Sequence, residues 1–260
     1  MPRALCVVLC AAAFAAPMHA AAVDTRMTST YNKLAQHLLS VPRARPYWVC
    51  IAGGPGSGKS TLAEAVAQRV NEVAGAQLCV VLPMDGFHYT RARLRELDPP
   101  DAASYLPRRG APWTFDAEAC FAAFAAAKCN GHATLPTYSR ELSDPVPGGV
   151  RLETCHEIVL CEGNYLLGAA QEEARWAPLD SLWDERWFIQ CADAAAQRRR
   201  LILRHLETWN DDKTARWGAG EEGAAARADA NDVLNMGLIA PMAAKAERVI
   251  LSVEGEVQEL

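Results

Sequence analysis

The stretch Ile51-Ala52-Gly53-Gly54-Pro55-Gly56-Ser57-Gly58-Lys59-Ser60-Thr61 leaves this chain few folds to choose from. It fits G-x-x-x-x-G-K-[ST], the phosphate-binding P-loop. The apolar run 47–52 before it reads as a buried strand. After it, Leu62, Ala63, Ala65, Val66 and Val70 recur at helical spacing. Glycines let backbone N–H groups turn inward around phosphate oxygens, where a Cβ would obstruct them. The helix that follows points its positive N-terminal end at the same anion. Gly53, Gly54, Pro55, Gly56, Ser57, Gly58, Lys59, Ser60 and Thr61 are therefore the expected nucleotide cradle. Lys59 should reach the β- and γ-phosphates, and the Ser60 hydroxyl should bind Mg²⁺.

The rest of the chain builds a sheet around this loop. A short helix is expected within 24–46, capped by Thr28 or Ser29, with Tyr31, Leu34, Leu38 and Leu39 as its apolar face. Strand one is 47–52, and the P-loop helix runs from 59 to 74, where Gly75 breaks it. Strand two, 77–82, is apolar throughout and so central. It ends at Pro83-Met84-Asp85-Gly86-Phe87-His88. Region 89–150 holds seven of the fifteen prolines, between Pro99 and Pro147. That density predicts shaped loops with no sheet core. One helix is legible inside it: Asp116 caps it, Phe121 and Phe124 give its buried stripe, and Asn130-Gly131 stops it. This region is the expected acceptor-binding insert. Strand three is 157–161, ending in Glu162-Gly163, and strand four is 186–191. A helix over 194–209 follows. Residues 218–230 have no apolar period and predict a mobile loop. A helix near 232–246 then leads to strand five, 248–253. Strands alternating with helices predict an α/β fold with a parallel sheet covered on both faces.

The chain has 260 residues, half of them hydrophobic, enough for a full core. Its net charge of −5 gives no basic face for nucleic acid. None of the nine cysteines forms a C-x-x-C pair, and Cys50, Cys79, Cys161 and Cys191 sit in apolar runs, so they read as reduced core residues. The run from Ala4 to Ala16 is too short to span a bilayer, and no membrane is expected for the mature form. Residues 1–23 read as a targeting segment. The run Ala12-Ala13-Phe14-Ala15-Ala16-Pro17 resembles the signal/transit junction of proteins imported into the complex plastids of some algae. Downstream, Arg26, Lys33, Arg43 and Arg45 outnumber the one acid, Asp24. A plastid address is the expectation, with a cytoplasmic one as the alternative. The main domain is then 47–260, after an N-terminal helix and linker over 24–46, and a homodimer is admitted.

Asp85 and Glu162 each follow an apolar strand, at the sheet end where ligands bind. Asp85 can take the proton of an attacking hydroxyl or hold the water shell of Mg²⁺; Asp-Gly is also a common turn pair. Glu162 is the candidate to steer Mg²⁺ beside Ser60. Arg198, Arg199, Arg200 and Arg204 cannot share one helix face, but Arg200 and Arg204 can, at i and i+4. Such a face can close over a γ-phosphate, or simply meet solvent. His88, Arg108, Arg109, Tyr138 and Arg140 are candidate acceptor contacts. Asn231, Asp232 and Asn235 either cap a helix or contact adenine.

The order of these parts resembles the P-loop small-molecule kinases that include uridine kinase, phosphoribulokinase and bacterial-type pantothenate kinase. The resemblance spans about 47–253. It rests on Gly53–Thr61, on Met84-Asp85-Gly86-Phe87-His88, on Arg109-Gly110-Ala111-Pro112-Trp113-Thr114-Phe115-Asp116, on Pro136-Thr137-Tyr138-Ser139-Arg140 and on Leu160-Cys161-Glu162-Gly163-Asn164-Tyr165. The D-G-F and Y-S elements are similar to the pantothenate kinase branch, and within it to nucleoside/sugar kinase-like proteins of bacteria and fungi. The resemblance implies a P-loop NTPase three-layer fold with a five-stranded parallel sheet. It gives Asp85 the role of catalytic base and Glu162 the Walker B-like role. It puts Arg200 or Arg204 in a lid helix and Tyr138 and Arg140 in the acceptor pocket. ATP and Mg²⁺ are the expected cofactors, and a small molecule with a hydroxyl group the expected acceptor. The competing expectation is a P-loop ATPase whose 89–150 region binds a protein. No N-K-x-D guanine motif and no L-S-G-G-Q transporter motif occurs.

Overall fold

The computed structural model describes residues 27–42, 45–98, 105–168 and 173–253. The expected targeting segment 1–23, with Asp24, Arg26 and Arg43, lies outside them. In chain order the elements are α1 (Thr28–Ser40), β1 (Tyr47–Ala52), α2 (Lys59–Ala74), β2 (Cys79–Pro83), a 3-10 turn (Met84–Phe87) and α3 (Arg91–Leu97). Then come α4 (Ala117–Asn130), β3 (Ala133–Ser139), β4 (Asp144–Leu152), β5 (Ile158–Gly163), α5 (Glu173–Trp176), β6 (Glu185–Cys191) and α6 (Ala194–Leu206). The chain continues through α7 (Asp211–Trp217), α8 (Gly220–Arg227), a π-helical turn (Ala228–Asp232), α9 (Val233–Ile239), a 3-10 turn (Ala240–Lys245) and β7 (Arg248–Ser252).

Five strands form one parallel sheet in the order β2-β5-β1-β6-β7. β2, expected to be central, is an edge strand beside β5; β1 is central, so both its faces need cover, and its side chains divide by alternation. Trp48, Cys50 and Ala52 enter a core with Phe87, Phe115, Phe124, Tyr165, Trp176 and Trp183. Val49 and Ile51 face the opposite core, built with Tyr31, Leu34 and Leu38 of α1 and Leu62, Val66 and Val70 of α2. This is the three-layer α/β sandwich expected of the P-loop. The described cysteines, Cys50, Cys79, Cys120, Cys129, Cys155, Cys161 and Cys191, are all free thiols. No helix among the described residues is long and apolar enough to cross a membrane.

Several local expectations match. Gly75 ends α2 in a left-handed conformation, its N–H donating to Asn71 and Glu72 carbonyls. Asp116 caps α4, its carboxylate accepting from the Ala119 N–H at 2.9 Å. Others need correction. α1 begins without a side-chain cap, so neither Thr28 nor Ser29 serves as one. The expected buried stripe of α4 is Phe124, Cys120 and Ala127, with Phe121 only partly buried. The helix expected over 194–209 ends at Leu206.

Two corrections are larger. Within 89–150, β3 and β4 form an antiparallel hairpin despite Pro136, Pro145 and Pro147. A two-stranded ribbon has only edges, so a proline's missing N–H can face outward. The ladder also shifts register between Leu135 and Thr137, which removes Pro136 from the pairing. Residues 218–230, expected to be mobile, form α8 and the π-helical turn. Here small residues replace an apolar stripe: Ala224 and Ala228 are fully buried against Leu201 and Ile202 of α6. A Cβ at Gly223 would strike the Gly218 carbonyl and the Trp209 ring. Close approach of small residues makes the contact, and hydrophobic periodicity does not register it.

Candidate active site

The P-loop lies beyond the carboxyl end of β1, as a phosphate cradle requires. Gly56 and Gly58 have φ of 77° and 96°, which directs the intervening N–H groups to one side. Gly58 precedes α2 and its carbonyl accepts from the Leu62 N–H at 2.9 Å. Lys59 is 9% exposed and its Nζ donates to the Gly54 carbonyl at 3.1 Å. Ser57 is fully buried and its Oγ has no hydrogen-bond partner. A buried orphan hydroxyl inside a glycine cradle fits an anion that would accept from it.

Sheet register brings the two acids together. Pro83 of β2 pairs with Glu162 of β5, so Asp85, two residues on, emerges beside Glu162. Two glycines make this possible. A Cβ at Gly163 would overlap Met84, and one at Gly86 would overlap the Pro136 carbonyl of β3. The E-G and D-G pairs are thus close-approach positions: Gly163 seats the turn bearing Asp85, and Gly86 seats the hairpin. Lys59 feels both Glu162 and Asp85, which partly offset the burial that pulls its pKa down. Glu162 is pushed up to about 7, by burial first and then by the like charge of Asp85; Lys59 and a hydrogen bond from Ser60 oppose this. Ser60 and Glu162 are hard oxygen donors of the kind Mg²⁺ takes. Among the described residues no group of three or more His, Cys, Asp or Glu could hold a metal. A site with few carboxylates suits an ion whose remaining ligands are waters and substrate phosphates.

The raised Glu162 has a measurable consequence. Its folded pKa exceeds its unfolded value, so the protein binds the extra proton below about pH 7 and loses that stabilisation as pH rises through it. Urea unfolding of the ligand-free protein is expected to show about 1 kcal/mol less stability at pH 8 than at pH 6 from this group alone. Glu162→Gln should flatten that slope; an unchanged slope would assign it elsewhere.

The insert supplies the facing wall. His88 stacks on Phe115 at 3.9 Å and on Tyr138 at 4.8 Å between ring centroids, and its Nδ1 lies 2.8 Å from the Asp85 carbonyl. Burial lowers its pKa, against the nearby charge of Asp85. Arg109 is consumed internally: Nη2 donates to Asp144 at 2.9 Å and to the Tyr89 carbonyl at 3.0 Å, and Nη1 to the Ser143 carbonyl. It braces the hairpin and lies over the Tyr138 ring at 5.4 Å. Arg108 donates to Asn231 and Asn235, each at 3.2 Å. Asn235, read as either a helix cap or an adenine contact, is buried and ties α9 to the insert through Arg108. Arg140, at the end of β3, is exposed and acts on Lys59, Glu64 and Arg204.

The arginines of α6 separate. Arg204 turns to the cleft, 3.7 Å from Asp232 and within electrostatic reach of Asp85 and Arg140. Arg200 points to the carboxyl ends of β6 and β7. It donates to Ser252 Oγ at 2.9 Å, to the Val253 carbonyl at 3.1 Å and to Cys191 Sγ at 3.2 Å. Those partners lie beside the P-loop: Cys191 Sγ is 4.0 Å from the Gly56 carbonyl, and a Cβ at Gly58 would meet Ser252 Oγ. Arg198 is held by Asp229 through two contacts of 2.6 Å, and Arg199 lies 3.8 Å from Asp193. One contact was missed. Gln197, 8% exposed, donates to the Pro55 carbonyl at 2.8 Å and ties α6 to the P-loop. Its signal was the face 197, 201, 204, at i, i+4, i+7, which the eye passes over beside three consecutive arginines.

The family model described as Zeta toxin matches residues 32–122. A candidate uridine kinase of Schizosaccharomyces pombe is 33% identical over 217 residues, covering 82% of this chain and 87% of that protein. A pantothenate kinase of Myxococcus xanthus is 28% identical over 165 residues, which is 62% of this chain and half of that protein. Among solved structures, a candidate fructose transport system kinase from Silicibacter superposes with a TM-score of 0.69 at 29% identity. That match covers 85% of this chain and 98% of the other.

Proposed function

Since the chain belongs to the P-loop small-molecule kinases related to uridine kinase and pantothenate kinase, we propose that it transfers the γ-phosphate of ATP to a hydroxyl group of a small molecule: a nucleoside, a sugar or a pantothenate-like compound. The observation that carries this reading is the convergence of Asp85 and Glu162 on Lys59 at adjacent strand ends, under a wall built by the insert. An ATPase needs a cradle, a metal ligand and a group that orients water. The aromatic wall of His88, Phe115 and Tyr138 beside the two acids is what an acceptor adds.

The loop Gly53–Thr61 would hold the phosphates of the nucleotide, and Lys59 would offset charge on the γ-phosphate. Ser60 and Glu162 would hold Mg²⁺, which when bound offsets the charge developing on the β- and γ-phosphate oxygens. The Asp85 carboxylate takes the proton of the acceptor hydroxyl as its oxygen bonds to the γ-phosphorus. The bond to the β–γ bridging oxygen breaks and ADP carries that electron pair away. Arg204 and Arg140 flank Lys59 and stabilise the transferring group. His88 and Tyr138 form the stacked aromatic wall on which the acceptor rests.

ADP release by the full chain with Mg·ATP is the test, measured alone and with nucleosides, sugars and pantothenate. Strong stimulation by one acceptor is expected. Steady release that no acceptor changes would overturn the kinase reading in favour of an ATPase acting through a protein partner.

A further inference from the structure

A buried backbone carbonyl needs a donor, and the carbonyls of the P-loop draw theirs from different elements. The Gly54 carbonyl accepts from the Ser57 N–H and from Lys59 Nζ, each at 3.1 Å. The Pro55 carbonyl accepts from Gln197 Nε2 of α6 at 2.8 Å, in a buried contact. The Ser57 bond closes a β-turn over Gly54-Pro55-Gly56-Ser57. Proline at its second position and a φ of 77° at Gly56 make it a type II turn. α6 is fixed against this turn. Asp193 caps its start, accepting from the Ala195 and Ala196 N–H groups at 2.9 and 3.1 Å. A Cβ at Gly54 would lie 3.0 Å from Gln197 Nε2, and one at Gly56 would lie 3.0 Å from Leu201 Cγ.

The orientation of one peptide depends on this contact. In a trans peptide the C=O and N–H point in opposite directions. With the Pro55 carbonyl held toward α6 by Gln197, the Gly56 N–H is aimed the other way, into the loop. A type I turn differs from type II by a half-rotation of this central peptide, and proline followed by glycine is compatible with both. After such a flip the Pro55 carbonyl would face the phosphates and the Gly56 N–H would face α6. Without the Gln197 amide the carbonyl is buried and unpaired, and the flip relieves it by turning it into the cradle. Resting on the reading that this loop holds nucleotide phosphates, we propose that Gln197 is a positioning residue for nucleotide binding: its amide locks the Pro55–Gly56 peptide in the type II orientation and so presents the Gly56 N–H to a phosphate oxygen. Gln197 itself touches no reacting atom and acts through the loop.

The test follows Mg·ADP binding to the full chain by calorimetry, with thermal melting to identify folded variants. Gln197→Met removes the donor and keeps the bulk. Gln197→Glu keeps the shape but sets an acceptor against the Pro55 carbonyl. Kd for Mg·ADP should rise by about 10-fold in the first and by at least as much in the second. A spectroscopic readout separates a turned peptide from loosened packing. Proline labelled with ¹³C at the carbonyl, combined with ¹⁵N-glycine, isolates Pro55–Gly56 and Pro147–Gly148, the two such peptides in the chain. Saturating Mg·ADP should move the Gly56 amide proton of the parent downfield as its hydrogen bond to phosphate forms, and should leave it in place in either variant. A variant that had only lost packing would bind more weakly yet keep the parent's shift at saturation. No Gly56 shift in the parent, a parent-like shift in a variant, or a parent-like Kd in a folded variant would overturn the inference and leave the nucleotide reading standing. Failure of the parent to bind Mg·ADP would overturn both.

Discussion

Replacing Lys59 with alanine is expected to lower acceptor-stimulated ADP release by about 10³-fold. The side chain is 9% exposed, and its Nζ donates to the Gly54 carbonyl at 3.1 Å. Its charge is therefore pre-positioned inside the loop and needs no reorganisation when the phosphates arrive. The same charge offsets Glu162 and Asp85. Its loss removes a contact to the transferring group and leaves two neighbouring carboxylates without their shared cation, so Glu162 should hold its proton to still higher pH. A coupled ADP assay measures the rate, and thermal melting confirms that the variant folds. Lys59→Arg should not rescue, because a planar fork cannot occupy the space of a compact ammonium in this loop. Activity within tenfold of the parent would remove Lys59 from the reaction.

Asp85→Asn is the second large effect. The amide keeps the shape of the carboxylate but cannot take a proton, so turnover should fall by about 10²–10⁴-fold. KM for ATP should change by less than about threefold, since the cradle is untouched. A second readout separates this from mere distortion. The charge of Asp85 helps hold Glu162 up near 7. Without it Glu162 should titrate lower, and the Mg²⁺ requirement should be met at lower pH than in the parent. Full turnover in Asp85→Asn would exclude it as the base.

How far the sequence discloses these features depends on the kind of physics involved. The P-loop, β1 and α2 were legible because glycine spacing and an apolar run are local signals. Asp85 and Glu162 were legible because strand ends are predictable once the strands are. The hairpin was not, since proline statistics assume a sheet interior and β3–β4 has none. α8 was hidden because Gly223, Ala224 and Ala228 pack by being small. Arg109 and Asn235 also make internal ties, to Asp144 and Arg108, which their residue types alone did not disclose.

The seating of the hairpin on Gly86 has an evolutionary consequence. β3–β4 is a separate two-stranded ribbon, whose backbone meets the turn bearing Asp85 at a position that tolerates no Cβ. Its contribution to the pocket, Tyr138 and Arg140, comes from its own ladder and the turn that follows. Recognition can thus diverge by exchange of one ribbon, while the loop, the two acids and the sheet stay fixed. Grafting 133–152 from a relative with a known acceptor onto this scaffold should carry the preference with it, so long as the glycine seat and the Arg109 brace are retained. A lineage built this way can change what it phosphorylates without rebuilding how.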